Sequence, residues 1–217
     1  FIITSWSGVI LGKEGQEIRW VNIKKFDSKK ILPPNQVIHR ALKNELGDIF
    51  AITNHQEIAS DVFFHILKNK INKGLSFIQI REKNLSKKDL ITFIGQIKQV
   101  LKKTDVKIVI NSSIELAYEF DLDGVHLTSK QLYELEKFPK DLLVAEQKRA
   151  DYAVLGPVKK TLSHPNSDFL GWEKFRLLAE SSNLPIYAIG GMKKDDISIS
   201  FDKGSVGIAS QRDFWNS

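Results

Sequence analysis

Three polar side chains alternate along one apolar stretch of this sequence: Gln79, Arg81 and Lys83, within FIQIREK at 77–83. In a strand, residues two apart share a face, so the three point the same way near its carboxyl end. Arginine offers a planar fork to phosphate oxygens, lysine a mobile point charge and glutamine a neutral donor and acceptor. That set suits a phosphorylated substrate. An alternating, half-buried strand with its polar face in water carries the same pattern, and this stretch alone does not separate the two readings. Further along, Asn111 and Ser112 follow the apolar run KIVI, His126 and Thr128 lie either side of Leu127, Gly190 and Gly191 close PIYAI, and Ser210 and Gln211 close VGIA. Paired glycines admit backbone geometries in which N–H groups face an anion.

Elements of one repeated kind must position these residues. From residue 49 onward short apolar runs alternate with amphipathic stretches. Strands are expected at 49–53, 76–80, 106–110, 124–127, 142–145, 152–155, 186–189 and 206–209, with helices starting near Ser60, Ser86, Glu115, Ser129, Gly171 and Asp195. In the helix from Ser86, Leu90, Ile94, Ile97 and Leu101 recur at spacings of three and four. Ser86 is its expected N-cap, with Asp89 three residues on. Trp172, Phe175 and Leu178 are spaced like another packing face. Eight apolar strands separated by helices predict a parallel sheet closed into a (β/α)8 TIM barrel of the α/β class. An open doubly wound sheet is the alternative, but no Gly-x-Gly-x-x-Gly follows the first strand. In a barrel the site lies at the carboxyl ends of the strands, which gathers all the polar residues above, with Gly156-Pro157 from the sixth strand. One unit is short: only Glu146–Asp151 separate Ala145 from Tyr152, where a helical crossover needs about a dozen residues. Either that helix is degenerate or residues are missing there, and missing residues are the expectation.

The totals narrow the class. The chain has 217 residues, 42% of them apolar, enough for a sizeable core. No apolar run approaches a membrane span and no signal-like leader is visible, so a soluble cytoplasmic protein without membrane partners is predicted. Cysteine is absent, which removes disulfides, thiolate catalysis and cysteine zinc sites. The net charge of +6 is spread over separate lysine pairs, a pattern of solvated faces that does not favour nucleic acid as a partner. The chain begins at Phe1 and its one methionine is Met192, which predicts a fragment or a processed form.

Residues 1–46 read differently. Strands are expected at Phe1–Trp6, Val9–Leu11 and Ile18–Ile23, a turn at Lys13–Gln16, and a helix near Gln36–Asn44 after Leu32-Pro33-Pro34-Asn35. So few elements need a partner to bury them. The order GKEGQEIRWV then LPPNQVIHRAL resembles the carboxyl-terminal third of a MutT-type Nudix hydrolase, a small α+β remnant of that fold. Such enzymes cleave nucleoside diphosphate linkages with magnesium. The resemblance implies that Glu14 assists metal chemistry and that Asn35 reads a purine edge. An exposed turn glutamate and a helix N-cap are the plain alternatives. The glutamate-rich Nudix box is absent from these residues, so the chain itself is not expected to hydrolyse nucleotides.

From Gly47 on, the motifs QIREK (79–83), VIN (109–111), DGVHL (123–127), ADYAVLGPV (150–158), PIYAIGG (185–191) and SVGIA (205–209) resemble the thiamine phosphate synthase and thiazole tautomerase superfamily. The expected division is therefore a Nudix-like 1–46 and a synthase-like barrel, 47–217. The synthase joins a pyrimidine diphosphate to a thiazole phosphate with loss of pyrophosphate, using magnesium. The resemblance implies that Gln79, Arg81, Lys83 and Asn111 grip the pyrimidine diphosphate. It further implies that Thr161 and Ser163 lie on the loop after the sixth strand and that Gly191, Ser210 and Gln211 hold the thiazole phosphate; Gly190 joins them as a phosphate-binding candidate by its place in the glycine pair that ends the seventh strand. Arg81, Lys83 and His126 are the candidates for catalysis, His126 being alternatively a barrel-wall histidine bonded to a neighbour. Two aspartates hold magnesium in the synthases; their positions here are Ser112 and Gln131, with Ser113 and Asp121 as conceivable substitutes. A lysine expected after the sixth strand reads His164. Binding of a phosphorylated small molecule is accordingly a firmer expectation than turnover.

Overall fold

The computed structural model describes residues 7–19, 47–134, 143–145, 150–161, 168–182 and 184–216. Eight parallel strands carry it: β1 Ile49–Ile52, β2 Phe77–Ile80, β3 Lys107–Asn111, β4 Gly124–His126, β5 Leu143–Ala145, β6 Ala153–Leu155, β7 Ile186–Ile189 and β8 Gly207–Ser210. Around the sheet they follow the order β5-β4-β3-β2-β1-β8-β7-β6. The first strand lies between the second and the last, and the numbering runs unbroken both ways, as in a barrel rather than an open doubly wound sheet. Among the described residues β5 and β6 end the sheet, and residues 146–149 of the short link lie outside them.

Both faces of these strands are covered, which is why they read as apolar runs. Inside, Phe50 stacks on Phe77 with ring centroids 4.3 Å apart, and Tyr152 meets both rings edge-on. Tyr187, Val109 and Ala209 complete this lumen layer. Outside, residues of opposite parity such as Ile78, Ile80, Ile108 and Val125 pack under the helices. These helices are α1 Ser60–Asn72, α2 Lys87–Leu101, α3 Ile114–Glu119, α4 Ser129–Glu134, α5 Gly171–Glu180, α6 Asp196–Asp202 and α7 Arg212–Asn216. In α2 the expected face is inward, with Ile94 and Ile97 fully buried, and the Ser86 hydroxyl accepts from the Asp89 N–H at 3.1 Å. In α7, Trp215 is buried against Phe63 and its indole N–H donates to the Ile52 carbonyl at 2.7 Å.

The chain enters the barrel at its floor, the amino end of β1. There the Tyr187 hydroxyl donates to the Gly47 carbonyl at 2.6 Å and the Ile208 N–H to the Asp48 carbonyl at 2.9 Å. A Cβ on Gly207 would stand 2.2 Å from that Asp48 oxygen, so only glycine allows this approach.

Two expectations need correction, and two short elements were not foreseen. Val9–Leu11 form no strand, and Val9 and Leu11 are 84% and 75% exposed; apolar composition alone does not make a strand without a pairing partner. Leu178 is exposed, because the buried face of α5 runs from Phe175 to Ala179 at a spacing of four. The 3-10 turn His55–Glu57 and helix α7 were not anticipated, being too short to show a period.

Candidate active site at the barrel mouth

Thr53 and Gln79 organise the mouth. Thr53 is fully buried; its N–H donates to the Gln79 carbonyl at 2.9 Å and its hydroxyl accepts from the Arg81 N–H at 3.0 Å. Its carbonyl accepts from Gln211 Nε2 at 3.0 Å, so the ends of β1, β2 and β8 are tied through one residue. Sequence reasoning missed Thr53, although its place at the end of β1 is the signal that selects it. Gln79 is 1% exposed and donates from Nε2 to Asn111 Oδ1 at 3.1 Å, so this face of β2 does not meet water.

Beyond Ile80 the alternation of strand ends. Arg81 is half-buried, and among the described residues its guanidinium has no carboxylate partner. Burial lowers its proton affinity while Glu82 opposes the shift; the group keeps its charge. Lys83 lies past the strand, exposed in a turn, and Glu82 between them is buried, accepting the His55 N–H at 2.9 Å. His126, at the end of β4, is hydrogen-bonded through Nδ1 to the Tyr152 hydroxyl at 3.3 Å and tilts against Phe50. Burial, with the Arg81 charge adding to it, pulls its pKa down to about 4, so the imidazole is neutral near pH 7. Burial likewise pushes the Tyr152 hydroxyl well up and keeps it protonated.

Across the mouth, Gly190 and Gly191 have φ values of 96° and 67°, which favour glycine. They pack tightly on the segment leaving β6: a Cβ on Gly190 would lie 2.5 Å from Pro157 Cβ, and one on Gly191 3.0 Å from Lys159 Cβ. Among the described residues no backbone carbonyl accepts from the Gly191 or Met192 N–H. Lys159, also unanticipated, pairs with Asp196 at 2.6 Å, and the other oxygen of that carboxylate accepts the Lys193 N–H. Ser210 follows the outward parity of β8 and its hydroxyl donates to the Met192 carbonyl at 3.0 Å, bracing the glycine loop from behind. Gln211 acts as a strut, its amide on Thr53 and Asn54. Thr161 is partly buried beyond β6. Ser163, His164 and Asn35 lie outside the described residues. Glu14 sits in an exposed turn, where its carboxylate accepts from Gln16 Nε2 at 2.9 Å.

The magnesium implied by the family resemblance does not fit the donors present. Ser112, with φ of 63°, accepts Asn111 Nδ2 on its hydroxyl at 2.9 Å and Gln131 Nε2 on its carbonyl at 3.1 Å. The remaining Gln131 oxygen accepts from the N–H and hydroxyl of Thr128. Neither residue offers an anionic oxygen. Ser113 caps α3, and Asp121 follows that helix at the floor, away from the mouth. Among the described residues no three His, Asp or Glu side chains gather to hold a metal.

An aromatic-lined barrel, with a half-buried arginine that has no carboxylate partner among the described residues and a paired-glycine loop at its mouth, is a (β/α)8 protein whose polar groups gather at the carboxyl ends of the strands. Comparison with known proteins defines the family. The model for thiamine monophosphate synthase (TMP-TENI) matches residues 49–138 and 136–214, and the chain belongs to that family. The thiamine-phosphate synthase of Coprothermobacter proteolyticus is 30% identical over 151 residues, 63% of this chain and 72% of the relative. That of Prochlorococcus marinus is 27% identical over 217 residues, 93% of this chain and 57% of the relative. Residues 47–217 make up less than four fifths of the chain, so that alignment reaches into residues 1–46. In fold, the thiamine phosphate pyrophosphorylase of Pyrococcus furiosus superposes with a TM-score of 0.63 at 24% identity, covering 81% of this chain and 93% of that one. No described helix is long and apolar enough to cross a membrane.

Proposed function

We propose that the barrel mouth binds a phosphorylated thiazole or pyrimidine intermediate of thiamine biosynthesis. The observation that carries this reading is Arg81, half-buried at the mouth with no carboxylate partner among the described residues. A guanidinium in that state is completed by an anion. Gln79 and Asn111 supply neutral hydrogen bonds beside it, Lys83 a mobile charge from the rim, and the Gly190–Gly191 loop faces a second phosphate with backbone N–H groups. Neutral His126, held by Tyr152 on one ring nitrogen, presents the other to the ligand.

The test is calorimetric titration with thiazole phosphate. Wild type is expected to bind, and Arg81→Ala to bind at least about tenfold more weakly, since hydrogen bonds to charged groups contribute roughly 1.5–3 kcal/mol. Equal affinity of the two proteins overturns the reading. A second reading, a phosphate-binding barrel without turnover, is favoured by the neutral Ser112 and Gln131. Formation of thiamine phosphate from the two family substrates decides for the transferase; tight binding without product decides for the second reading. The division at Gly47 and the MutT-like character of residues 1–46 belong to the same proposal and rest on the KEGQ and LPPNQ stretches. They predict nucleoside diphosphate hydrolysis only for a longer chain that contains a Nudix box.

A further inference from the structure

We infer that the tether between Ser112 and Gln131 makes the barrel mouth a metal-independent site for a phosphate monoester, selective against a diphosphate. This rests on the phosphate reading of the mouth given above. The two neutral residues are not idle replacements. The Ser112 hydroxyl takes the Asn111 amide at 2.9 Å, its carbonyl takes Gln131 Nε2 at 3.1 Å, and its N–H donates to the His126 carbonyl at 2.8 Å. Gln131 Oε1 is fixed by Thr128 at 3.1 Å and 3.0 Å. The side-chain oxygens standing in for carboxylates are thus engaged as acceptors in a network that joins the ends of β3 and β4. A divalent ion would have to break that network and would gain only neutral ligands.

Charge points the same way. The cleft beside the tether, about 180 Å³, is lined by Ser112, Ile114, Leu127, Gln131 and two carboxylates, Glu115 and Glu134. Without a divalent cation these repel a second phosphate group. Among the described residues Glu134 pairs with Lys130 at 3.9 Å, an exposed contact whose attraction is largely screened. On the cationic side the end of β2 offers Arg81 and Lys83, while Lys159 across the mouth is occupied by Asp196. At that strand end one arginine and one lysine match the charge of about −2 on a monoester, and a diphosphate carries more.

Binding of inorganic phosphate and of inorganic pyrophosphate, measured by calorimetry in EDTA and in millimolar Mg2+, tests this. Phosphate is expected to bind at least as tightly as pyrophosphate, and Mg2+ to change either affinity by less than about twofold. Tightening of pyrophosphate by tenfold or more on adding Mg2+ overturns the inference while leaving the phosphate reading intact. Failure of both anions to bind under either condition overturns the phosphate reading and this inference with it. Water-proton relaxation of Mn2+ with wild-type protein and pyrophosphate gives an independent measure: no enhancement is expected, and enhancement overturns the inference. The double variant Ser112→Asp, Gln131→Asp is expected to acquire Mg2+-dependent tightening of pyrophosphate; aspartate tolerates the left-handed backbone at 112. A folded double variant that stays blind to Mg2+ overturns the assignment to this pair.

Discussion

A histidine that stays neutral inside a barrel has a thermodynamic signature. In the unfolded chain His126 takes up its proton near pH 6.5, in the folded barrel near pH 4. Between those values the unfolded state binds more protons, so stability is complete above about pH 6.5 and is lost as pH falls through about 4. The span corresponds to about 3 kcal/mol at most. Urea denaturation between pH 4 and 7 should record this loss, and His126→Gln should flatten it; an unchanged slope in the variant would assign the effect to another group. The motif DGVHL named this histidine and the barrel-wall reading anticipated a bonded neighbour, but which neighbour was not legible, because Tyr152 is 26 residues away. In the same motif Asp123 serves the floor, accepting from Lys107 Nζ and the Ile108 N–H at 2.8 Å each.

At the scale of elements, the strands were readable because burial on both faces demands unbroken apolar runs. Where each ends was less so. The alternation of Gln79, Arg81 and Lys83 suggested one continuous face, but β2 stops at Ile80 and only Gln79 keeps its strand position. Ser210 was grouped with the phosphate ligands by its place at the end of the eighth strand and by the family resemblance, yet strand parity turns its side chain outward. The β7 exit is a close joint: Val158 N–H donates to Ile189 O at 2.8 Å and Lys159 N–H to Gly190 O at 3.1 Å. Gly190→Ala therefore meets both a φ of 96° and a 2.5 Å clash with Pro157. A loss of roughly 1–3 kcal/mol is expected. Chemical denaturation measures it, and phosphate affinity should fall with it; a stable variant binding normally would remove the glycine loop from the site.

For the whole molecule, the eightfold order was legible from the count and spacing of apolar runs, whereas its closing element was not. Helix α7 has five residues, too few to show periodicity, yet Trp215 joins it to β1 and α1. Trp215→Ala is expected to cost about 3–5 kcal/mol, and Trp215→Phe less, since the ring contact survives and only the bond to Ile52 goes. Urea melts of the two variants provide the check. The anchorage at Gly47 and Asp48 carries a further consequence. Gly47 and Asp48 themselves are held at the floor by Tyr187 and Ile208, and the mouth opens at the other end of strands about 13 Å long. The bonds that seat the start of the barrel and the groups that would meet a ligand thus sit at opposite ends of the same strands, so a change at Gly47 or Asp48 loosens the anchorage and leaves the polar groups of the mouth in place.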